Sequence, residues 1–397
     1  MTPVAYLALV AALGVALYPY LGYPALLKLM SLARRVPAPR RAAPAPSEWP
    51  SVTITIPAYN EAAVIAETLE GLLAVDYPAD RRQIVVVSDA STDGTDEVVE
   101  RFAPRGVELL RLPRRAGKTA AENAARPLLR GDVVVNTDAS VRIHPQAIKA
   151  LAAALADPTV GVASGRDVSV AHLDAAANRG EGAYVGYEMW VRDLETRVSG
   201  IVGASGCLYA IRAALHRYAV PEDLSRDFAA ALVARLHGLR AVSVPGAVCY
   251  VPRGGSLQQE YRRKVRTMAR GLRTLWHMRT LLNPARYGAF AWMLASHKLC
   301  RWLVPWALAG ALGAVTSLAL ETGELWARVT LGVAAVVGGL ALAGWCWPAR
   351  RPVPRLLALP AYLASGTVAA LEAWLLVLRG VRTAVWEPTR RGAESAG

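Results

Sequence analysis

Two aspartates follow short runs of β-type residues and could act together at one edge of a sheet. Asp89 ends the segment IVVVSD, and Asp138 ends the segment DVVVNTD. In open α/β sheets, ligands bind outside the carboxyl ends of the parallel strands, so both carboxylates are predicted to face one cleft. Each aspartate alone is explained equally well as a turn former or a helix cap. Their shared position therefore favours a binding site.

A third charged group, Lys118, opens a predicted helix in the segment AGKT. A P-loop requires a glycine five residues before Gly117, where Leu112 stands, so a P-loop NTPase is disfavoured. No G-x-G-x-x-G follows the first predicted strand, which disfavours a dinucleotide-binding fold. A lysine at a helix start suits phosphate, because its charge adds to that of the free backbone N–H groups. Lys118 is therefore a candidate phosphate ligand, with a solvated surface lysine as the alternative.

The elements that would position these groups alternate between short apolar strands and helices across residues 52–251. The runs VTITIP, IVVVS, VELLRL and DVVVN are separated by segments with helical periodicity. Such alternation predicts an α/β domain with a mostly parallel sheet and helices on both faces. Two more predicted helices, at residues 180–198 and 221–238, and a closing strand would cover the mouth of the sheet.

Four apolar segments are long enough to cross a bilayer. The first, residues 4–30, carries no charge before Lys28 and lacks the basic start of a secretory signal. Residues 34–50 are rich in Pro, Ala and Arg, which predicts a linker with positive charge just after the first span. The α/β domain is therefore predicted to be cytoplasmic. The other three segments are residues 299–320, 326–347 and 356–378.

Residues 258–282 form a predicted amphipathic helix with a basic polar face. Residues 253–286 hold nine basic side chains against one acid, which is a large part of the net charge of +14. Nucleic-acid binding is the competing explanation, but the α/β domain has no basic stripe with stacking aromatics. The helix is therefore predicted to lie at the membrane interface, with Arg270 and Arg273 in contact with lipid.

Taken in order, seven segments resemble family 2 glycosyltransferases of the polysaccharide-synthase branch: TITIPAYNEAAVI, VVVSDASTDGT, GKTAAEN, NTDAS, GASGCLYAIR, SRDF and QEYRR. The resemblance covers roughly residues 52–276 and implies a GT-A nucleotide-diphospho-sugar transferase domain in a multi-pass protein of the bacterial cytoplasmic membrane. The predicted parts are a transmembrane anchor (1–30), a Pro/Arg linker (31–50), the cytoplasmic GT-A domain (51–252), amphipathic interfacial helices (253–298), three transmembrane helices (299–380) and a tail (381–397).

The resemblance also implies roles for individual residues. Asp227 in SRDF matches the catalytic carboxylate and would be the general base, although helix capping would explain it too. Asp138 matches the first acid of a D-x-D motif that holds the ribose and Mg²⁺ or Mn²⁺, while Ser140 replaces the second. The implied donor-binding residues are Pro57, Ala58, Glu61, Asp89, Lys118, Asp138, Gln259 and Arg262. The implied acceptor-binding residues are Gly203, Ser205, Gly206 and Glu181.

The implied function is inverting transfer of a sugar from a nucleotide diphosphate donor, expected to be a UDP-sugar, to a growing polysaccharide or envelope glycan. Two alternatives stay open. One is a single transfer to a polyprenyl phosphate lipid, and the other is a catalytically degenerate domain that acts as a membrane scaffold or export partner. The presence of Asp89, Asp138 and Asp227 argues against the degenerate domain. The expected partners are a nucleotide-sugar donor, a glycan or lipid-linked acceptor and membrane lipid.

Overall fold

The computed structural model describes residues 2–33, 49–170, 176–252, 257–348 and 353–382, and in the third range it describes side chains from residue 186 onward. Most of the predicted Pro/Arg linker (31–50) and nearly all of the predicted tail (381–397) lie outside the described residues.

Eight strands form one sheet with the order β3-β2-β1-β4-β7-β6-β8-β5. The run from β3 to β4 is parallel, β7 is antiparallel to both of its neighbours, and β6 and β8 are again parallel. The mostly parallel α/β architecture predicted from the sequence is confirmed. The strands are β1 Val52–Ala58, β2 Arg82–Ser88, β3 Val107–Arg111, β4 Val133–Thr137, β5 Arg142–Ile143, β6 Val160–Val170, β7 Leu208–Arg212 and β8 Arg240–Pro252.

Helices cover both faces of this sheet and extend from it. Two of the long helices are interrupted by π-helical turns, at Tyr18–Gly22 and Ala295–Cys300. The helices are α1 Thr2–Leu17, α2 Tyr23–Ala33, α3 Ile65–Leu73, α4 Thr95–Glu100, α5 Lys118–Ala125, α6 Ala147–Leu155, α7 Ala176–Val198, α8 Ala213–His216, α9 Arg226–Leu236, α10 Leu257–His277, α11 Pro284–Tyr287, α12 Ala289–Leu294, α13 Arg301–Glu321, α14 Leu325–Trp345 and α15 Arg355–Leu378.

The central strands are buried on both sides, which explains why β1 and β4 contain no charged residue. Every residue of β1 and β4 is buried, as expected for parallel strands that helices cover on both faces. On one face, Ile54 and Ile84 lie in a core with Leu151 of α6. On the other face, Val134 lies in a core with Phe228 of α9. The sheet is therefore a rigid platform for the loops at its carboxyl edge.

Four helical segments of the described chain are long and apolar enough to cross a membrane. This is the predicted number, but the second segment begins at Ala289 and not near residue 299. Its start falls inside the region that was assigned to interfacial helices (253–298). Ser296, His297 and Lys298 lower the hydropathy of the sequence at this point. The apolar pattern therefore begins only after them. In the structure, His297 is buried and bonded to α7. The four segments are Thr2–Ala33, Ala289–Glu321, Leu325–Trp345 and Arg355–Leu378.

The basic helix α10 is amphipathic, as predicted, but the Arg270 side chain is buried, and so are Nη1 and Nη2 of Arg273. Its apolar side packs against α15, where Ala269 and Leu272 share a core with Ala373. The Arg270 side chain is buried, and its Nη2 donates to Thr119 Oγ1 at 2.6 Å and to the Leu224 carbonyl. The expectation that Arg270 contacts lipid was therefore wrong. The periodic pattern located the polar face correctly, but it could not show that the α/β domain covers part of it.

Candidate active site

A cleft lies where β1, β2 and β4 end, and it gathers the charged residues that the sequence placed there. Its lining includes Asp89, which follows β2, and Asp138, which follows β4. Lys118, the first residue of α5, also lines it. Parallel strands bring their carboxyl ends to the same edge, so three groups distant in sequence become neighbours. Pro57, Ala58 and Tyr59 at the end of β1 complete the lining.

The Asp89 carboxylate organises the loop before Lys118. Its two oxygens accept hydrogen bonds from the backbone N–H groups of Ala116 at 2.7 Å and Gly117 at 2.8 Å. The side chain is buried, so these bonds fix the start of α5 relative to β2. The neighbouring Ala90 has a φ of +58°, which is uncommon for a residue with a Cβ and occurs where surrounding contacts enforce it. Contact of Asp89 with a base or ribose remains a prediction.

Lys118 joins the cleft to the neighbouring loop. Its ammonium donates to Asp138 Oδ1 at 2.5 Å and to the carbonyl of Gly206 at 3.0 Å. Burial works against the charged form, but the carboxylates of Asp138 and Glu122 outweigh it and raise the pKa of Lys118 above its ordinary value. Lys118 is therefore a fixed cation at neutral pH, which suits the binding of a diphosphate.

Asp227 lies in the first turn of α9, next to the loop that contains Gly206. Its Oδ1 accepts a hydrogen bond from the Ser225 hydroxyl at 2.6 Å. The other oxygen, Oδ2, faces Gly206 so closely that a Cβ there would lie 3.1 Å from it. A larger residue at position 206 would push the carboxylate aside. Asp227 and Lys118 thus lie beside the same glycine, and Lys118 also bonds to its carbonyl.

The loop 203–206, which the sequence predicts to bind the acceptor and which we therefore call the acceptor loop, is held by hydrogen bonds of Ser205. Ser205 donates from its backbone N–H to Ser164 Oγ at 2.8 Å and from its hydroxyl to Asp167 Oδ1 at 2.5 Å. At the other end, a Cβ on Gly203 would lie 3.3 Å from the Phe228 ring. Small residues are needed here because the loop runs directly against α9. The structure therefore brings Gly203, Ser205 and Gly206 together beside Asp227.

The remaining predicted residues lie further out. Glu61 comes shortly after the lining residue Tyr59 in the sequence. Its backbone N–H donates to Thr95 Oγ1 at 2.9 Å. Gln259 and Arg262 are exposed near the start of α10, and Arg262 is roughly 12 Å along the helix axis from Arg270 at 1.5 Å per residue. Their donor contacts remain predictions. Glu181 belongs to α7, and its side chain is outside the described part of the structure.

The sequence analysis did not predict the buried pair of Glu122 and Arg226, which lies near the cleft. Glu122 is 1% exposed, and its Oε2 lies 3.4 Å from Arg226 Nε. Arg226 precedes Asp227, and its Nη1 donates to Asn123 Oδ1 at 2.5 Å. Burial raises the pKa of Glu122 above its ordinary value, against the attraction of Lys118 and Arg226. The signal was present in the i, i+4 spacing of Lys118 and Glu122 on one helix face.

The site offers a divalent cation one carboxylate. Within the described ranges, no three His, Cys, Asp or Glu side chains form a group that could hold a metal ion. Asp138 has Oδ1 engaged by Lys118, and Ser140 stands where a second acid would add a ligand. Mg²⁺ is often held by one or two carboxylates together with phosphate oxygens and water. The residues fit a cation that arrives with a phosphorylated ligand.

Comparison with known proteins identifies the family. A family model described as Glycosyl transferase family 2 matches residues 53–193. An N-acetylglucosaminyltransferase of Rhizobium leguminosarum bv. trifolii is 30% identical over 138 residues, which is 34% of this chain and 75% of that protein. The chain belongs to glycosyltransferase family 2. Another relative of this family 2 chain, an N-acetylglucosaminyltransferase of Mesorhizobium japonicum, is 31% identical over 242 residues, and the chain spans 55% of its length.

A solved structure resembles this family 2 glycosyltransferase over nearly its whole length. It is a mannosyltransferase from Pyrobaculum calidifontis in complex with GDP-Man and Mn²⁺, with 25% identity and a TM-score of 0.72. The superposition covers 94% of this chain and 100% of the archaeal one. The GT-A fold and the family predicted from the seven segments are confirmed, and the apolar helices fit a membrane-bound form.

Proposed function

We propose that this chain transfers a sugar from a nucleoside diphosphate donor to a hydroxyl group of an acceptor at the membrane surface, with inversion at the anomeric carbon. The observation that carries the proposal is the convergence of Lys118 and Asp227 at Gly206. Lys118 donates to the Gly206 carbonyl and also to Asp138, while Oδ2 of Asp227 would lie 3.1 Å from a Cβ on Gly206. A phosphate-binding cation and a base are thus adjacent.

Asp227 would act on the acceptor and Lys118 on the leaving group. The acceptor hydroxyl oxygen attacks the anomeric carbon, and the hydroxyl proton passes to Oδ2 of Asp227. The bond between the anomeric carbon and the phosphate oxygen breaks, and its electron pair leaves with the nucleoside diphosphate. A fixed cation stabilises this growing charge more in the transition state than in the ground state. One displacement with one base inverts the configuration.

Two observations bear on the identity of the donor nucleotide, and they favour different bases. The sequence resemblance favours a UDP-sugar, and two relatives are named N-acetylglucosaminyltransferases. The archaeal structural neighbour is solved with GDP-Man. The proposal is tested with the purified chain in lipid vesicles, which is incubated with UDP-N-acetylglucosamine, UDP-glucose and GDP-mannose in turn. Glycosylated product from one of them supports transfer, and an absence of both product and nucleotide release with all three favours a scaffold.

A divalent cation would be held by Asp138 together with the donor phosphates, where it would neutralise their charge. We expect transfer to stop in excess chelator and to return with Mn²⁺ or Mg²⁺, because the single positive charge of Lys118, which is already paired with Asp138, cannot offset a diphosphate. The archaeal neighbour was solved with Mn²⁺. The measurement is product formation across a metal titration, with Asp138→Asn as the matched variant, which should need more metal for half-maximal rate. Full activity in chelator would show that Lys118 and other side chains suffice.

A further inference from the structure

Lys298 is a basic residue inside an apolar helical segment, and its ammonium has no direct polar partner among the described residues. It lies in the π-helical turn Ala295–Cys300 of the segment Ala289–Glu321. Ionisable residues in such segments are rare, face the protein interior and mark binding sites or pathways. Single π-helical turns are also frequent at functional sites. Lys298 therefore requires an explanation beyond solvation.

The acidic groups nearby already have other partners. His297 bridges Glu195 Oε1 at 2.5 Å and Glu188 Oε1 at 2.6 Å. Arg301 donates to the second oxygen of Glu188 at 2.6 Å. Among the residues that the structure describes, neither a hydrogen bond nor an ion pair reaches the Lys298 ammonium, which lies 5.2 Å from the centre of the Phe228 ring.

Lys298 points to the acceptor loop. A Cβ on Gly203 would lie 3.5 Å from its Nζ. The opposite end of the loop, Gly206, faces Asp227. Three residues of extended chain span at most about 11 Å between the Cα atoms of Gly203 and Gly206. The ammonium and the proposed base therefore lie at the two ends of one short loop.

Arg192 adds a second positive charge beside the same loop. Its Nη1 donates to Ser164 Oγ at 3.4 Å, and the same oxygen accepts the backbone N–H of Ser205. No carboxylate within the described residues forms an ion pair with Arg192. Arg192 and Lys298 are close enough to repel each other. Glu188 and Glu195 attract Lys298 in turn, but neither carboxylate bonds to its ammonium, and a bound anion would give both cations a direct anionic partner.

We propose that Lys298 and Arg192 bind a phosphate group of the acceptor, so that the acceptor is a phosphate-linked glycolipid whose sugar hydroxyl lies at Asp227. The phosphate anchors the acceptor and takes no part in bond formation. This inference rests on the proposed function and specifies its substrate class. Phosphate could also come from a bilayer headgroup or from solution, and the experiment separates these sources.

The experiment uses the full chain in phosphatidylcholine vesicles with two acceptors that carry the same sugar and lipid tail. One has a phosphate between sugar and tail, and the other has a neutral ether. We expect wild type to show the lower KM for the phosphate-linked acceptor. Lys298→Met should raise that KM about tenfold to a hundredfold, as expected for loss of a charge-assisted hydrogen bond. The KM for the neutral acceptor should not change.

Lys298→Arg, which keeps the charge, and Lys28→Met, which removes an exposed cation of the first apolar segment, should stay near wild type. Equal KM values for the two acceptors in wild type, or an equal loss with both in Lys298→Met, would overturn the proposal. Competition by inorganic phosphate, or by phosphatidylglycerol in the vesicles, as strong as that by the phosphate-linked acceptor would also overturn it, since the site would then not select the acceptor.

A binding measurement separates failure of this inference from failure of the proposed function. Binding of the phosphate-linked glycolipid is measured without donor, in the Asp227→Asn background. Loss of that binding in the double variant with Lys298→Met would support the anion site even if no donor gave product. Equal binding with and without Lys298→Met would remove the anion site even if transfer is observed.

Discussion

Asp227→Asn is expected to lower the turnover of sugar transfer by about 10² to 10⁴, the range typical for loss of a positioned general base. The amide cannot take the acceptor proton, but it occupies the same volume beside Gly206 and can still accept the Ser225 hydroxyl bond. Donor affinity should therefore stay within about twofold. The measurements are product formation at saturating donor and direct binding of the donor, both in the same vesicle preparation.

The matched control is Asp223→Asn, which removes a carboxylate from the segment just before α9. Asp223 Oδ2 lies 3.8 Å from Arg382 Nε, outside the proposed site, so removal of this carboxylate should leave turnover near wild type. Turnover of Asp227→Asn within about threefold of wild type would remove Asp227 from the role of base. A large loss in both variants would point to a disturbed loop and not to lost chemistry.

Lys118→Met is expected to lower turnover by roughly 10² to 10³, the range measured when one donor to a developing negative charge is removed. Lys118 is proposed to stabilise the departing diphosphate, and Met keeps the length of the side chain without its charge. Donor affinity should also fall, because the ground-state diphosphate loses the same cation. Turnover should fall more than affinity, since the charge grows as the bond breaks.

Two further variants test whether this loss reflects charge or folding. Lys118→Arg keeps the positive charge and should recover part of the turnover. Recovery should be incomplete, because the planar guanidinium group cannot make both hydrogen bonds of the ammonium group. Lys149→Met removes the Lys149–Asp76 ion pair outside the cleft and should leave turnover unchanged. If Lys118→Met kept wild-type turnover while its donor affinity fell, Lys118 would bind the donor without assisting departure of the leaving group.

The sequence predicted the carboxyl edge of the sheet well, because parallel topology fixes which residues meet there. Asp89, Asp138 and Lys118 follow three different strands, and the strand order alone makes them neighbours. Local patterns of apolar residues were enough to find those strands. These patterns could not show that both carboxylate oxygens of Asp89 accept hydrogen bonds from the loop before Lys118.

The sequence analysis failed where polar groups are satisfied across long chain distances. His297 and Lys298 interrupt an apolar segment, so hydropathy placed the start of the span after them. In the structure, the bonds of His297 to Glu188 and Glu195 offset the cost of burial. The burial of Arg270 was not predicted for the same reason. Its partners Thr119 and Leu224 lie far from α10 in the sequence. Such pairings depend on tertiary contacts that a periodic pattern does not encode.

The anomeric configuration of the product tests the central claim most directly. The purified chain is supplied with an α-linked nucleotide sugar labelled with ¹³C at its anomeric carbon, and the configuration of the transferred sugar is read by NMR. A single displacement with Asp227 as base predicts a β-linked product from wild type and about 10² to 10⁴ times slower formation of that product by Asp227→Asn. An α-linked product would contradict the account, because retention requires a second nucleophilic step or an attack from the same face.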